Sequence, residues 1–444
     1  MTTASQPPIH VLLVAGEGLP VLTRLRDIAP DVFVICLTTA SGEDLSEQQA
    51  LCDRLITMRG RDVSDWVAEA RGLHRANPID AAWAFGELGQ RECAAIAADL
   101  ELPWHSAATI QRVYDKALMR QRLREAGLTS LYTVPVRDAA ELAALSRSQS
   151  TPLIVKPRSG AGSAGVSLVR SAHEAEQAFG VATGEGRYGG RSVVAEKHVT
   201  GVELSVEAFS HRGTHSVVGI SQKIVARENK VELGHIVPAA TSPQLAARIH
   251  DLIPRCLDAL GVTFGPTHTE VIASAAGIEI IETHTRCGGG YITDLLYEST
   301  GIDLIGLTVR QALGWSMGDQ LVFPPAGGAP VHRHAGIFYL TPDRPGTVVG
   351  MPASLPATPG GYLIRLDLSA LEGLDGTRVP TSNYVRGPYC IVRGDSPEEV
   401  VQAASRIAAG VVVEVRDHDG GETCPARLAL AAIVFPADGL PMPS

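Results

Sequence analysis

Residues 268–286 read HTEVIASAAGIEIIETHTR. Two β-branched runs flank a small Ala275-Ala276-Gly277 turn, the pattern of a β-hairpin. With the turn centred on Ala276, Glu270 lies opposite Glu282 and His268 opposite His284. Like charges directly opposite on one sheet face destabilise it, so positive charge is expected between the two glutamates. A hard divalent cation held by carboxylate oxygens is the simplest source, and magnesium usually arrives with substrate phosphates. The plainer alternative is a solvated hairpin face with Arg286 as a partial counter-charge.

The chain has 444 residues, enough for two to four domains, and a formal net charge of −10. That balance argues against a nucleic-acid or anionic-membrane partner. The seven cysteines are scattered with no C-x-x-C spacing, so neither a zinc site nor a disulfide framework is indicated. They fit a reducing cytoplasm. No signal peptide is expected at the N-terminus, and no apolar run reaches spanning length. Of 38 basic residues only five are lysine: Lys116, Lys156, Lys197, Lys223 and Lys230, all within one stretch. Where arginine supplies the ordinary surface charge, a lysine points to use of its compact ammonium, which suits phosphate as a point charge.

Strands are expected at 9–15, 32–37 and 80–85, with helices at 20–28, 62–76 and 87–100. This alternation implies a parallel sheet with crossover helices. Gly16 and Gly18 suggest a dinucleotide fingerprint, but Val21 stands where its third glycine belongs, and a tight strand–helix turn is the better reading. A helix is expected at 115–126, with Asp115 at its N-terminus and Gly127 as its stop. A loop at 145–151, strands at 152–156 and 165–169, a helix at 172–180 and a flexible break at 183–191 follow. Further strands are expected at 192–197, 202–209 and 215–220, with helices at 243–260 and 302–314. Pro324 to Pro330 reads as a linker into an α+β part with strands at 335–340, 362–367 and 389–392 and a helix at 397–409.

Three other stretches carry chemistry. Residues 155–166, VKPRSGAGSAGV, deliver Lys156 on a strand into a loop of small residues, whose backbone N–H groups can approach an anion closely. It is not a Walker A loop, because the lysine precedes the glycines. Residues 193–207, VVAEKHVTGVELSVE, read as strand, turn and strand. The connector can offer backbone groups to an adenine edge and Glu203 can accept from ribose, but nothing here is diagnostic of adenine and, from the residues alone, a plain hairpin is the better reading. Residues 232–238, ELGHIVP, read as a loop in which Glu232 can meet an amino group and His235 can polarise an oxygen, although a lone Glu and His on a loop are usually solvated surface.

In this order, the elements resemble the ATP-grasp superfamily over about residues 1–320 and more loosely beyond. Within it the chain is most similar to the carboxylate–amine ligases that join amino acids into dipeptides, the L-amino acid ligases. The residues carrying the likeness are 264–270 (FGPTHTE) leading into 281–289 (IETHTRCGG), 232–238, Tyr114-Asp115-Lys116 and 335–338 (AGIF). The resemblance implies an α/β and α+β architecture of ATP-grasp fold. A Rossmann-like pre-ATP-grasp domain would span 1–108, an ATP-grasp domain 109–322 with a lid at about 115–192, and a C-terminal α+β domain 323–444.

It also implies roles. Lys116 and Lys156 would contact ATP phosphates under the loop of Ser159, Gly160, Gly162, Ser163 and Gly165. Glu196, Lys197 and Val199 would bind adenine, and Glu203 the ribose. Glu270 and Glu282 would hold Mg²⁺, with Mn²⁺ as the alternative ion. Arg286, His235 and Lys156 would be catalytic, and Glu232, His235, Arg286, Gly288 and Gly289 would bind substrate. The chain departs from the family where many members carry Asn then Pro after the second metal-binding Glu. Here His284 and Thr285 stand there. Imidazole suits Mg²⁺ less well than an amide oxygen, which leaves His284 open as a third ligand.

The implied activity is amide formation between an amino-acid carboxylate and a small-molecule amine through an acyl-phosphate, releasing ADP and phosphate. The implied setting is cytoplasmic, with small-molecule partners, no nucleic acid or membrane, and room for a homodimer. The competing readings are another ATP-grasp activity on a small carboxylate (purine-biosynthetic or carboxylase-like), a non-catalytic ATP-binding module and, more remotely, a dinucleotide-dependent oxidoreductase.

Overall fold

The computed structural model describes residues 9–15, 19–39, 43–60, 62–184, 192–226, 229–316, 331–352, 362–375, 383, 387–418, 421 and 423–430. Gly16 and Gly18, most of the expected break at 183–191 and the expected linker at 324–330 lie outside these residues. The chain is a mixed α/β protein with a parallel sheet at its N-terminus and antiparallel sheets beyond.

The first part alternates strand and helix: β1 (His10–Val14), α1 (Leu19–Ile28), β2 (Phe33–Thr38), α2 (Glu43–Leu51), β3 (Arg54–Thr57), α3 (Val63–Ala76), β4 (Ala81–Trp83) and α4 (Gln90–Asp99). The strands are parallel in the order β3-β2-β1-β4. Val11 to Val14 are all buried, as expected of a parallel strand covered on both faces. The expected helix at 87–100 starts only at Gln90. Before it, Gly89 sits at φ +83, and a Cβ there would lie 2.6 Å from Ala15 Cβ and 2.8 Å from the Val14 carbonyl oxygen. This close approach seats the start of α4 on the end of β1.

Next come α5 (Ala107–Tyr114), α6 (Lys116–Glu125), β5 (Thr133–Val136), α7 (Ala139–Ser148), β6 (Leu153–Pro157), β7 (Ser167–Val169), α8 (Ala175–Thr183) and β8 (Val193–Lys197). Helix α7 runs through the first part of the loop expected at 145–151. The four strands form an antiparallel sheet in the order β5-β8-β6-β7.

The remainder builds a sheet of eleven strands among the described residues. Its first part is β9 (Val202–His211), β10 (Thr214–Val225), β11 (Glu232–Val237), α9 (Pro243–Leu260), β12 (Phe264–Ser274), β13 (Gly277–His284), α10 (Ile292–Thr300) and α11 (Leu304–Ala312). Its second part is β14 (His334–Pro342), β15 (Thr347–Gly350), β16 (Leu363–Asp367), β17 (Tyr389–Gly394), α12 (Pro397–Gly410), β18 (Val412–Arg416) and β19 (Thr423–Leu430). The main path runs β13-β12-β9-β10-β11-β14-β19-β18-β15, with β16 and β17 alongside β14. Residues 232–237 are therefore strand β11, not part of the loop expected over 232–238. Strands β8 and β9 are not a hairpin either: they belong to different sheets, and residues 198–201 cross between them.

Helix α9 covers one face of the large sheet. Ser242 caps it by accepting from Leu245 N–H, Pro243 opens it, and Gly261 ends it at φ +78. Leu245, Ile249, Ile253, Cys256, Leu257 and Leu260 pack on Leu204, Val206, Val271 and Ile280. The opposite face of these strands carries the charged residues.

The expected hairpin pairing holds, by a different route. The turn is tight, with Ser274 opposite Gly277, and without further adjustment Glu270 would pair with Ile281. A β-bulge inserts Ile281, so that Val271 faces Ile280 but Glu270 faces Glu282 and His268 faces His284. Ile280 points into the α9 core. In a regular strand Glu282, two residues on, would point there too. The extra residue turns Glu282 and His284 to the opposite face.

Gly89→Ala should destabilise the fold by about 2 kcal/mol, from left-handed backbone strain plus overpacking against β1. A denaturant titration would read this as a lowered midpoint. An unchanged midpoint would show that the end of β1 yields freely.

Candidate active site

One cleft lies between the sheet β5-β8-β6-β7 and the large sheet. All five lysines line it, with Gly160, Ser163, Glu196, Val199, Glu203, Glu270 and Glu282. Helix α6 starts at its edge. Asp115 caps the helix by accepting from Ala117 and Leu118 N–H, and receives Arg158 through Nε and Nη2 at 2.7–2.9 Å. Lys116 donates its backbone N–H to the Arg158 carbonyl and its ammonium to the Gly160 carbonyl at 2.8 Å. The glycine-rich loop is thereby tied at its root.

Within that loop Gly160, Gly162, Ser163 and Gly165 all have positive φ, which is why small, mostly glycine residues occupy it. Ser163 Oγ donates to the Lys230 carbonyl at 2.9 Å. Asn383 donates its N–H to the Gly162 carbonyl, and its side-chain oxygen accepts from Glu232 N–H at 2.8 Å. One residue of the C-terminal part thus joins the loop tip to β11. Ser159 turns elsewhere, into a hollow with Tyr114 and Asp115.

On the cleft floor, Lys156 (β6) meets Glu196 (β8) at 2.7 Å. The other Glu196 oxygen accepts from Arg120 Nε at 3.2 Å and Thr133 Oγ1 at 2.5 Å. Burial alone would raise the Glu196 carboxyl, but Lys156 and Arg120 hold it down at about 2. Its side chain is thus committed to these partners. The end of β8 and the connector after it bring Lys197, His198 and Val199 to the cleft wall, and Glu203 pairs with Lys230 at 3.0 Å.

Glu270 and Glu282 stand side by side with separate cations. Lys223 contacts Glu270 at 2.5 Å and Glu232 at 3.1 Å, and Lys116 contacts Glu282 at 3.2 Å. Opposed residues have Cβ atoms about 5 Å apart, and two carboxylates kept at about that spacing would repel by about 3 kcal/mol at an effective dielectric of 20. A lysine contact near 3 Å attracts by about 5 kcal/mol on the same scale, so the lysines win. Against the effect of burial, Lys223 and His268 hold Glu270 at about 2, and Lys116 and His284 hold Glu282 well below the usual carboxylate range.

The counter-charges are therefore lysines from other elements, not Arg286. Arg286 Nε pairs with Glu87 at 2.7 Å, and Glu87 also takes His284 Nδ1 at 2.9 Å. Glu87 comes from the turn before α4, held by Gln90, which donates to the Ala84, Gly86 and Thr285 carbonyls. Nothing in the local pattern around Glu87 marked it. Glu207, fully buried on β9, accepts from Gly288 N–H at 2.9 Å and contacts His268 Nδ1 at 2.5 Å. A Cβ on Gly288 would lie 2.8 Å from both Glu207 Oε1 and His268 Nδ1, so a larger residue would displace these side chains, and the Gly288 N–H is already used by Glu207. Gly289 has open space around its Cα. Glu207 and Glu270 outweigh burial to raise His268 to about 9.

On β11 a second bulge, at Leu233, sets Glu232 on the face of Lys223 and His235. His235 Nε2 lies 3.4 Å from Glu232 Oε2, and the ring is completely buried and does not line the cleft. Among the described residues, no three His, Cys, Asp or Glu side chains gather to hold a metal by themselves. Glu270 and Glu282 form a two-carboxylate pair, and His284 turns Nδ1 to Glu87 at 2.9 Å and Nε2 toward Glu282 at 3.6 Å.

An ATP-grasp domain model matches residues 149–294. An uncharacterised protein of Sinorhizobium fredii, y4rH, is 30% identical over 228 residues, which are 49% of this chain and 46% of that protein. Carnosine synthase 1 of Homo sapiens is 25% identical over 235 residues, covering 49% of this chain and 28% of that enzyme. The match thus spans less than half the length of either relative. The solved L-amino acid ligase from Bacillus licheniformis superposes with a TM-score of 0.75 at 20% identity, over 94% of this chain and 100% of that one. At that identity the likeness is one of fold. Residues 149–294 are an ATP-grasp domain, and the chain around them has the ATP-grasp fold.

Proposed function

We propose that this protein is an ATP-dependent, ADP-forming ligase that joins an amino-acid carboxylate to the amine of a second amino acid or similar small molecule. The observation that carries the reading is the meeting of all five lysines with Glu270 and Glu282 in one cleft under a glycine-rich loop. A nucleoside triphosphate with a divalent ion matches that charge pattern. Lys116 and Lys156 would bind its phosphates as point charges and the loop N–H groups would complete the cradle. The wall from Lys197 to Val199 would take the adenine and Glu203 the ribose.

The two adjacent carboxylates fit magnesium, which is commonly bound by one or two carboxylates plus substrate phosphates; manganese would suit the same oxygens. When bound, the ion would neutralise charge on the transferring phosphoryl group. The ammoniums of Lys116 and Lys223 sit on flexible stems and can turn from carboxylate to phosphate. Arg286, oriented by Glu87, would hold the substrate carboxylate and the acyl-phosphate made from it, beside the open Gly289. A substrate carboxylate oxygen attacks the terminal phosphorus and ADP leaves. The amine then attacks the acyl carbon, forming the C–N bond and losing a proton as phosphate departs. Water would attack the same carbon, so the loop clasped by Lys230 and Asn383 would serve to exclude it. Glu232 would meet a substrate ammonium, with His235 behind it as its orienting partner rather than in contact with the reacting carbonyl.

The reading is tested by measuring phosphate and ADP release with ATP, Mg²⁺ and paired amino acids, identifying products by mass spectrometry. Amino-acid-dependent ADP formation with a new amide product is expected. ADP formation only with other small carboxylates would redirect the reading within the ATP-grasp ligases, and ATP binding without turnover would leave a binding module. Glu282→Ala should lower turnover at least about a hundred-fold while the protein remains folded by circular dichroism, since removing one group that stabilises transferring charge costs about 3–4 kcal/mol. Undiminished turnover would refute its assignment as a metal ligand.

A further inference from the structure

Arg120 lies on α6 one helical turn after Lys116, and it does not line the cleft. Its side chain is 1% exposed. Nε donates to Glu196, Nη1 to the Ile280 carbonyl and Nη2 to the Ile281 carbonyl at 3.1 Å. Ile281 is the residue that the bulge adds to β13. An inserted residue drops out of the ladder, and a buried carbonyl there needs a donor from elsewhere. A guanidinium offers donors in a fixed plane and can serve both carbonyls and a carboxylate at once; an ammonium cannot reproduce that fork. Glu196 in turn holds Lys156.

We infer that Arg120 is a positioning residue for ion and phosphate binding. It holds the bulge that aims Glu282 into the cleft, and through Glu196 it places Lys156. Carboxylate and lysine, on different sheets, are thus set by one side chain that touches neither ion nor nucleotide. The inference rests on the reading of the cleft as a site for ATP with a divalent ion.

The test is binding of a fluorescent ATP analogue to the full chain as Mg²⁺ is titrated, with melting curves to check folding. Arg120→Lys keeps a cation for Glu196 but loses the fork. It should raise the half-saturating Mg²⁺ roughly ten-fold, the scale seen when an outer-shell partner of a metal ligand is lost. Glu196→Gln keeps the carbonyl bonds. It should weaken analogue binding at saturating Mg²⁺ while leaving the half-saturating concentration in place. A folded Arg120→Lys with unchanged Mg²⁺ dependence would overturn the inference, and so would an equal shift in Glu196→Gln, which would assign the effect to charge alone. If Arg120→Lys does not fold, Arg120→Gln, which can reach only one carbonyl, is judged by the same comparison. Absence of any Mg²⁺-dependent binding by the unaltered protein would instead remove the reading of the cleft, and this inference with it.

Discussion

Glu270 and Glu282 occupy paired positions on the sheet face that floors the cleft, and their mutual repulsion is a constraint that the surrounding elements answer with cations. Both glutamate side chains are mostly withdrawn from solvent, 20% and 18% exposed, and neither carboxylate can be neutralised by the other. Lys116 comes from the first turn of α6 and Lys223 from β10, two strands away from β12. His268 and His284 add weaker positive charge from the same two strands. Each cation is itself buried and needs its acid, so removing one member leaves a charge uncompensated, which costs about 3–5 kcal/mol in such settings. The face is stable as a set, and ammoniums already gathered there match a polyanion that would bring its own cation.

Bulges make the gathering possible. Strands β9, β10, β12 and β13 must put apolar residues against α9 and acids and lysines on the other face. The bulge at Ile281 turns Glu282 over after Ile280 has packed in the core. The irregularity between Val217 and Gly219 sends Val217 to the α9 side and lets Gly219 face Glu207. The one at Leu233 brings Glu232 and His235 to the side of Lys223. A regular sheet would offer one chemistry per face along each strand. Three local slips in phase let a short length of strand serve the core and the cleft in succession.

The charged hairpin, the lysine window and the glycine-rich loop were legible because each is a local pattern: alternation, composition and spacing. Helix α9 was legible to the residue because Ser242, Pro243 and Gly261 carry its capping chemistry. Even the bulge left a trace, since Ile280 and Ile281 break the alternation that precedes them. Glu87, Glu207 and Arg120 were not legible, because their roles are made by contacts across 61 to 199 residues of chain. The step from β8 to β9 looks like a hairpin turn in sequence, since a short polar connector serves equally for a reversal and for a crossing between sheets. Short elements such as β5 and α10 lack enough periods to stand out from loop.

The division of labour between arginine and lysine follows from geometry. Arg120, Arg158 and Arg286 each make two or more directional bonds to carbonyls or carboxylates, and all three fix backbone or side chains around the cleft. Four of the five lysines hold acids at or near the cleft by contacts of the ammonium alone, and the fifth, Lys197, stands exposed at its wall. A planar fork is costly to redirect once its bonds are made, whereas an ammonium on a four-carbon stem can exchange one oxygen for another with little reorganisation. Under the proposed reading of the cleft, counter-ions would be traded between carboxylate and phosphate within a fixed frame, which needs both kinds of cation, and all five lysines of this chain line that cleft.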